Sequence, residues 1–331
     1  MTKTQIAGAA GALIAVAALG AGEAAAQSGE LMIYTSTPTE AMNDLIETFN
    51  AEYPEVEVSF FRSGTTEVMN KLAAEFAAGD PQPDVLLVAN SLVMTDLKQD
   101  DRLMAYPEAP VEGFDPAVYD ADMTYFGTKL ITTGITYNTD LVEEAPSSWT
   151  DLTSEAAEGR VIMPSPLYSG AAAYHVGTVT EQDGFGWDYY DALMDNGAVA
   201  GRGNGSVLDA VARGEKAYGI IVDFMPLNAK RDGSPVDFVF PEEGVTAITE
   251  PVAILSTASN VEAAKAFVDF QLSDAGQAFA AEQGYIPAKQ GVAPPAHFPA
   301  TDDITIMAAD PATIIEQDQA NKEAFAERFG G

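Results

Sequence analysis

Cysteine is missing from all 331 residues of the chain. That excludes disulfides, thiolate catalysis and cysteine-based zinc or iron–sulfur sites. Histidine is nearly missing: His175 and His297 stand far apart, so neither a histidine-rich metal site nor a Ser-His-acid set is suggested. There is also no G-x-S-x-G elbow. Basic residues are scarce, sixteen Lys and Arg against fifty Asp and Glu, giving a formal charge of −34. Such a surface repels phosphate backbones and anionic lipid heads, which argues against nucleic acid or a membrane surface as partner. After residue 26 no segment approaches the roughly 18 apolar residues of a membrane span. Fifty acids offer many chance carboxylate pairs, but nothing places two of them face to face. A binding protein is therefore expected ahead of an exported hydrolase.

What is present suits a folded, exported chain. Apolar residues make up 47% and charged residues 20%, enough for a sizeable core. The length suggests about two domains. Lys3, an apolar and small-residue run over 6–22, and Ala24-Ala25-Ala26 before Gln27 read as a signal peptide over residues 1–26. The competing reading is a membrane-anchoring helix, for which the run is at the lower edge of spanning length. Cleavage removes one Lys and one Glu and leaves a mature chain with no cysteine for lipid anchoring. These features point to the periplasm, with the acidic surface as a solvated coat.

Short apolar strands alternate with helices along the first part of the mature chain. Leu31-Met32-Ile33-Tyr34 reads as a buried strand, and Met42, Leu45, Ile46 and Phe49 fall at helical spacing. A second strand covers 56–61, and Ser63-Gly64-Thr65-Thr66-Glu67 looks like the cap of a second helix. Asp84 to Val88 forms a third buried strand, so this part reads as a parallel sheet covered by helices. Further strands are expected at 131–137, 159–163 and 218–222. A long strand at 245–256 is broken by Pro251, and helices dominate from Val261 onward. Trp149 and Trp187 are read as packing residues, with an aromatic floor under a sugar as the alternative. Tyr189-Tyr190 reads as a helix packing into a core. Gly201-x-Gly203-x-Gly205 lacks the spacing of a dinucleotide fingerprint and is discounted.

Six segments occur together in a telling order: 31–40, the "PDV" strand of 83–90, the P-x-x-W-x-D-L signature of 146–152, 164–172, 210–223 and 250–255. In that order and spacing the chain resembles the extracellular solute-binding proteins of bacterial ABC importers. The nearest look-alikes are the branch holding ferric-iron, phosphonate and sugar-phosphate binders. The resemblance implies an α/β, two-lobed, type II-like periplasmic-binding-protein fold that closes on its ligand like a clamshell. Residues 27–130 and 251–331 would form lobe 1 and residues 131–250 lobe 2, joined by two crossing hinge strands. It also implies a monomer without cofactor, delivering a small solute to a cognate permease in the inner membrane. Where iron binders of this type place a His, a Glu and adjacent tyrosines, this chain has Pro38, Ala89, Phe224 and Met225. None of these can ligate a hard cation through a side-chain oxygen or nitrogen.

Three helix starts are expected to face one crevice: Ser63-Gly64-Thr65, Ser169-Gly170-Ala171 and Asn204-Gly205-Ser206. Free N–H groups, hydroxyls and a positive helix end make each an anion site, against ordinary capping as the plain reading. Ser169-Gly170-Ala171 matches the phosphate loop of the resembled family. Ser36, Thr37, Asn90 and Asn204 are expected to reach the phosphate-type group or its substituent. Arg62 could hold an oxyanion or sit in a surface ion pair. Asp223 and Glu250 could accept hydrogen bonds from sugar hydroxyls or pair with an ammonium; their plain readings are a helix cap and a hinge salt bridge. The expected ligand is a sugar phosphate or an aminoethylphosphonate-type solute, with a polyamine or other small cation as runner-up and ferric ion third.

Overall fold

The computed structural model describes residues 28–296, 298–299 and 304–330. The expected signal peptide and His297 lie outside them. Three strands and two helices alternate first: β1 (Gly29–Thr35), α1 (Thr39–Glu52), β2 (Val56–Arg62), α2 (Thr65–Ala78) and β3 (Val85–Leu87). β1 pairs parallel with β2 and with β3, as the buried apolar runs require. After α3 (Leu92–Gln99) comes the long β4 (Phe126–Asn138), which begins five residues before the expected strand. Next come β5 (Val161–Pro164), α4 (Gly170–Thr180), α5 (Gly186–Asp195), β6 (Val199–Gly201) and α6 (Asn204–Ala212). They are followed by β7 (Tyr218–Val222), α7 (Phe224–Arg231), β8 (Val236–Val239) and β9 (Thr246–Ile254). The chain closes with α8 (Val261–Leu272), α9 (Asp274–Glu282), β10 (Ile286–Pro287) and α10 (Pro311–Phe329).

Among the described residues ten strands join in one sheet, with β4 and β9 passing between its two halves. β9 pairs antiparallel with β3 at one end, through Val252–Ile254, and with β4 along its length. The far end of β4 pairs with β7 and β8. Pro251 does not break β9. It sits opposite Gly127, and between Gly127 and Leu130 one extra residue of β4 is accommodated as a bulge. Side chains satisfy the backbone groups there: Thr128 Oγ1 donates to the Glu250 carbonyl at 2.8 Å, and Gln277 Nε2 donates to the Thr128 carbonyl at 2.7 Å.

Two large hydrophobic centres flank the crossing strands. One gathers Leu31, Ile33, Met42, Phe49 and Phe267. The other gathers Trp149, Leu152, Tyr190, Leu193 and Phe325. Trp149 is a core residue whose Nε1 donates to the Gly244 carbonyl at 2.8 Å, and Tyr189 and Tyr190 are buried beside it. The P-x-x-W-x-D-L signature is a capped turn in which Ser148 and Asp151 cap each other's backbone. Phe325 places α10 in this second centre, against α4 and α5, although the expected division assigned residues 251–331 to lobe 1. Among the described residues no helix is long and apolar enough to cross a membrane.

Candidate functional site: a cavity between two lobes

The ends of β1, β2, β5, β6 and β7 deliver the chain into the helices that follow, and the N-termini of these five helices open on one cavity of about 360 Å³. Its lining includes Pro38 and Thr39 of α1, Gly64 and Thr65 of α2, and Ser169, Gly170 and Ala171 of α4. Gly203, Asn204 and Gly205 of α6 and Phe224 and Met225 of α7 complete the set. A helix leaves its first N–H groups without intrahelical partners and its N-terminus partially positive. At α4, Ala172 N–H is capped by Ser169 Oγ at 3.2 Å. Gly170 and Ala171 N–H have no partner among the described residues. Asn204 N–H and Gly205 N–H are likewise unused. Together these ends make a concave bed of donors.

Ser169 Oγ accepts from Ala172 N–H and from Asn204 Nδ2, both at 3.2 Å, so its own proton is left to donate. Asn204 is the first residue of α6 rather than a residue before it. Gly203 is the cap, and Ser206 Oγ bonds the Gly203 N–H at 3.2 Å and its carbonyl at 2.7 Å. The discounted glycine run therefore supplies the close approach at α6, without the dinucleotide spacing.

Eight of the twelve expected site residues line the cavity: Ser36, Thr65, Ser169, Gly170, Ala171, Asn204, Ser206 and Glu250. Four do not. Thr37 lies beneath it and donates to Glu250 Oε1 at 3.1 Å. Ser63 is turned onto Glu67, 2.5 Å from Oε2, instead of capping α2, whose cap is Gly64. Asn90 donates to the Gly170 carbonyl at 3.5 Å and lines a neighbouring cavity. Asp223 is fully buried, accepting from Thr132 N–H, the Thr132 hydroxyl and Phe224 N–H, and acts as the α7 cap. Burial pushes its carboxyl up to about 7, against those hydrogen bonds.

Sequence reasoning gave Arg62 a divided reading and missed Arg202, Tyr168 and Tyr285, which also line the cavity. Arg62 donates to the carbonyls of Thr37 (3.2 Å) and Ser36 (3.3 Å) and to the Tyr168 hydroxyl (3.0 Å). Arg202 lies over the Tyr168 ring at 4.5 Å and donates to both Glu67 oxygens at 2.9 Å. The Ser63 hydrogen bond and the Arg202 guanidinium hold the Glu67 carboxyl below its usual range. These contacts join the two lobes, as does Thr66 N–H to the Tyr168 carbonyl at 3.3 Å. The lobes are closed upon one another.

Glu250 is the one carboxylate among the lining residues, and it is neutralised in place by Lys129 Nζ, 2.5 Å from Oε2. Both side chains are almost wholly buried. Pro38, Ala89, Phe224 and Met225, expected where iron binders keep their ligands, all line the cavity and offer it no oxygen or nitrogen side-chain donor. Among the described residues no group of three or more His, Asp or Glu side chains is placed to hold a metal. His175 is buried against Trp149 with Nδ1 at 3.1 Å from Thr246 Oγ1, a packing residue outside the cavity.

The family model of the bacterial extracellular solute-binding proteins matches residues 35–278. The chain belongs to that family. Its members bind solutes, in keeping with the expectation that this protein is not an enzyme. A probable ABC transporter periplasmic-binding protein of Sinorhizobium fredii is 27% identical over 227 residues, 63% of this chain and 61% of that one. An uncharacterized protein of Haemophilus influenzae is 32% identical over 147 residues, 43% of this chain and 42% of that one. The matches thus span about half the length of these relatives. The fold is also that of the periplasmic binding protein AfuA from Actinobacillus pleuropneumoniae, solved with fructose-6-phosphate bound. That likeness has a TM-score of 0.82 at 24% identity and covers 91% of this chain and 98% of that one. Iron-bound HitA from Pseudomonas aeruginosa is similar at a TM-score of 0.78 and 19% identity, over 89% and 99% of the chains. The two-lobed binding-protein architecture is therefore the fold of this chain, and these likenesses extend to ligands of unlike chemistry.

Proposed function

We propose that this protein is the periplasmic substrate-binding component of an ABC importer, and that its solute is a small phosphorylated or phosphonate organic molecule. One observation carries the choice of ligand: five helix N-termini and two arginines converge on a cavity whose single lining carboxylate is already paired. Unused N–H donors at Gly170, Ala171, Asn204 and Gly205 suit a tetrahedral oxyanion, and Arg62 supplies positive charge, whereas the charge of Arg202 is balanced by Glu67. A net charge of −34 does not oppose this, because surface charges are screened within about 8–10 Å while contact donors act in a poorly hydrated crevice. The cavity holds the volume share of about a dozen waters, more than a bare phosphate fills, so an organic substituent has room.

The polyamine alternative needs free carboxylates facing the ligand. Asp223 is buried away from the cavity and Glu250 is balanced by Lys129, so that reading has little left to stand on. Ferric ion meets the same lack of donors at Pro38, Ala89, Phe224 and Met225. Calorimetry with glucose 6-phosphate, aminoethylphosphonate and putrescine tests the proposal. Saturable binding of a phosphorus compound is expected. Binding of putrescine alone would replace it.

A further inference from the structure

The cavity has a second polar region besides the helix ends. Tyr285 follows Gly284, whose φ of +94° ends α9, and a Cβ at Gly284 would lie 2.4 Å from Asn228 Oδ1. That tight, left-handed turn swings the chain back so that Tyr285 reaches the cavity from the hinge side. The ring is held by Phe224, with centroids 4.2 Å apart, and by Lys129 Nζ, 4.3 Å from its centroid. Yet the Tyr285 hydroxyl, in a side chain 1% exposed, has no hydrogen-bond partner among the described residues. A buried hydroxyl left unsatisfied costs stability and calls for an explanation. Its phenol is held well above its usual range by burial and then by the charges of Glu250 and Asp223, so it remains a donor at neutral pH.

Glu250 shares this region. Thr37 takes one oxygen and Lys129 the other, and a carboxylate offers about four lone-pair sites, so each oxygen keeps one. Resting on the anion reading above, we infer that Tyr285 and Glu250 form a hydroxyl-binding floor, and that the solute is a hydroxyl-bearing organic phosphate. A ligand hydroxyl accepts from Tyr285 and donates to Glu250, which satisfies both. A ligand ammonium fits worse, because Lys129 already neutralises Glu250 and would repel it. A ligand carboxylate fits worst, having no proton for Glu250. The floor thus separates sugar-phosphate-type solutes from aminoethylphosphonate-type ones.

Calorimetry of the wild-type protein and Tyr285→Phe with glucose 6-phosphate, ethyl phosphate and inorganic phosphate tests this. Wild type should prefer glucose 6-phosphate to ethyl phosphate. Tyr285→Phe should weaken glucose 6-phosphate about tenfold, the worth of one hydrogen bond, and leave the other two unchanged. Its melting temperature should be equal or higher, because the deleted hydroxyl has no partner among the described residues. Equal losses on all three probes, or no loss on any, would overturn the floor while leaving the anion site standing. If no phosphorus compound binds wild type, the anion reading and the floor fall together.

Discussion

Adding one methyl group at Gly64 should hold the two lobes apart. Gly64 caps α2 at φ −65° and ψ 152°, angles that any residue adopts, so alanine is not strained by its own backbone. The obstacle lies across the cleft. A Cβ there would stand 2.2 Å from the Tyr168 carbonyl oxygen and 2.8 Å from two ring atoms of the same residue. An ordinary C···O contact is about 3.3–3.6 Å, so the lobes must part by roughly 1 Å. Two hydrogen bonds span that point, Thr66 N–H to the Tyr168 carbonyl at 3.3 Å and Thr66 Oγ1 to the Pro166 carbonyl at 3.2 Å. Losing both costs about 2 kcal/mol of closure at about 1 kcal/mol each. Ligand affinity should then fall about thirtyfold, since each 1.4 kcal/mol is tenfold. Each lobe's own core is untouched, so thermal stability should drop by no more than the ~1 kcal/mol of a poorer cap. Calorimetry gives the affinity, melting curves the stability, and small-angle scattering of the ligand-saturated protein the residual opening. Unchanged affinity and unchanged compaction in Gly64→Ala would refute the reasoning, because the lobes would then not meet at Tyr168 when ligand is bound.

Three further outcomes are expected. Ser169→Ala removes both a ligand donor and the cap of α4, so phosphate-ester binding should weaken by roughly ten- to a hundredfold and unfolding free energy fall by about 0.5–2 kcal/mol. A loss of stability without loss of binding would reduce Ser169 to a cap. Lys129→Met strands the Glu250 carboxylate in the interior and should cost about 3–5 kcal/mol in urea unfolding, with Lys129→Met/Glu250→Gln recovering much of it; equal losses in the two variants would deny the pair. Asp223 stays protonated in the folded protein up to about pH 7, whereas the unfolded carboxyl ionises near its usual 3.8. Between those values the unfolded chain sheds the proton first, so wild type should lose stability relative to Asp223→Asn as pH rises from about 4 to about 7, then level off. A pH-independent difference between the two would show that the three hydrogen bonds, not burial, govern this carboxyl.

Much of the fold was legible because it is written in local patterns. Apolar strands and 3.6-residue periodicity marked β1 to β3 and their helices, and small-residue helix starts marked three of the five cavity-facing ends. The resemblance put Pro38, Ala89, Phe224 and Met225 where iron binders keep their ligands, and all four line the cavity. What escaped depends on contacts far apart in the chain. Arg202 matters because of Glu67, 135 residues away, and Lys129 because of Glu250. Tyr285 gave no signal beyond a glycine before it. Asp223 and Asn90 were misplaced for a common reason: a polar residue ending a buried strand is equally fit to satisfy its own backbone. Ser63 shows the same ambiguity, resolved here in favour of Glu67. Pro251 read as a break because its missing N–H forbids a regular ladder, but the extra residue in β4 removes the demand for that bond.

That bulge has a consequence for how such a protein can change. Where β4 and β9 cross, β10 pairs with Lys129 and Leu130, but the carbonyls of Thr128 and Glu250 are held by the side chains of Gln277 and Thr128. Short of proline, a ladder bond cannot be altered by substitution, since every other residue type carries the same amide. Side-chain bonds can. Part of the hold on this crossing is therefore open to adjustment by substitution, through two residues that do not line the cavity. Conservative replacements at 128 or 277 would retune how readily the jaws part while the chemistry of recognition stays fixed. Capture and release can drift independently of what is captured.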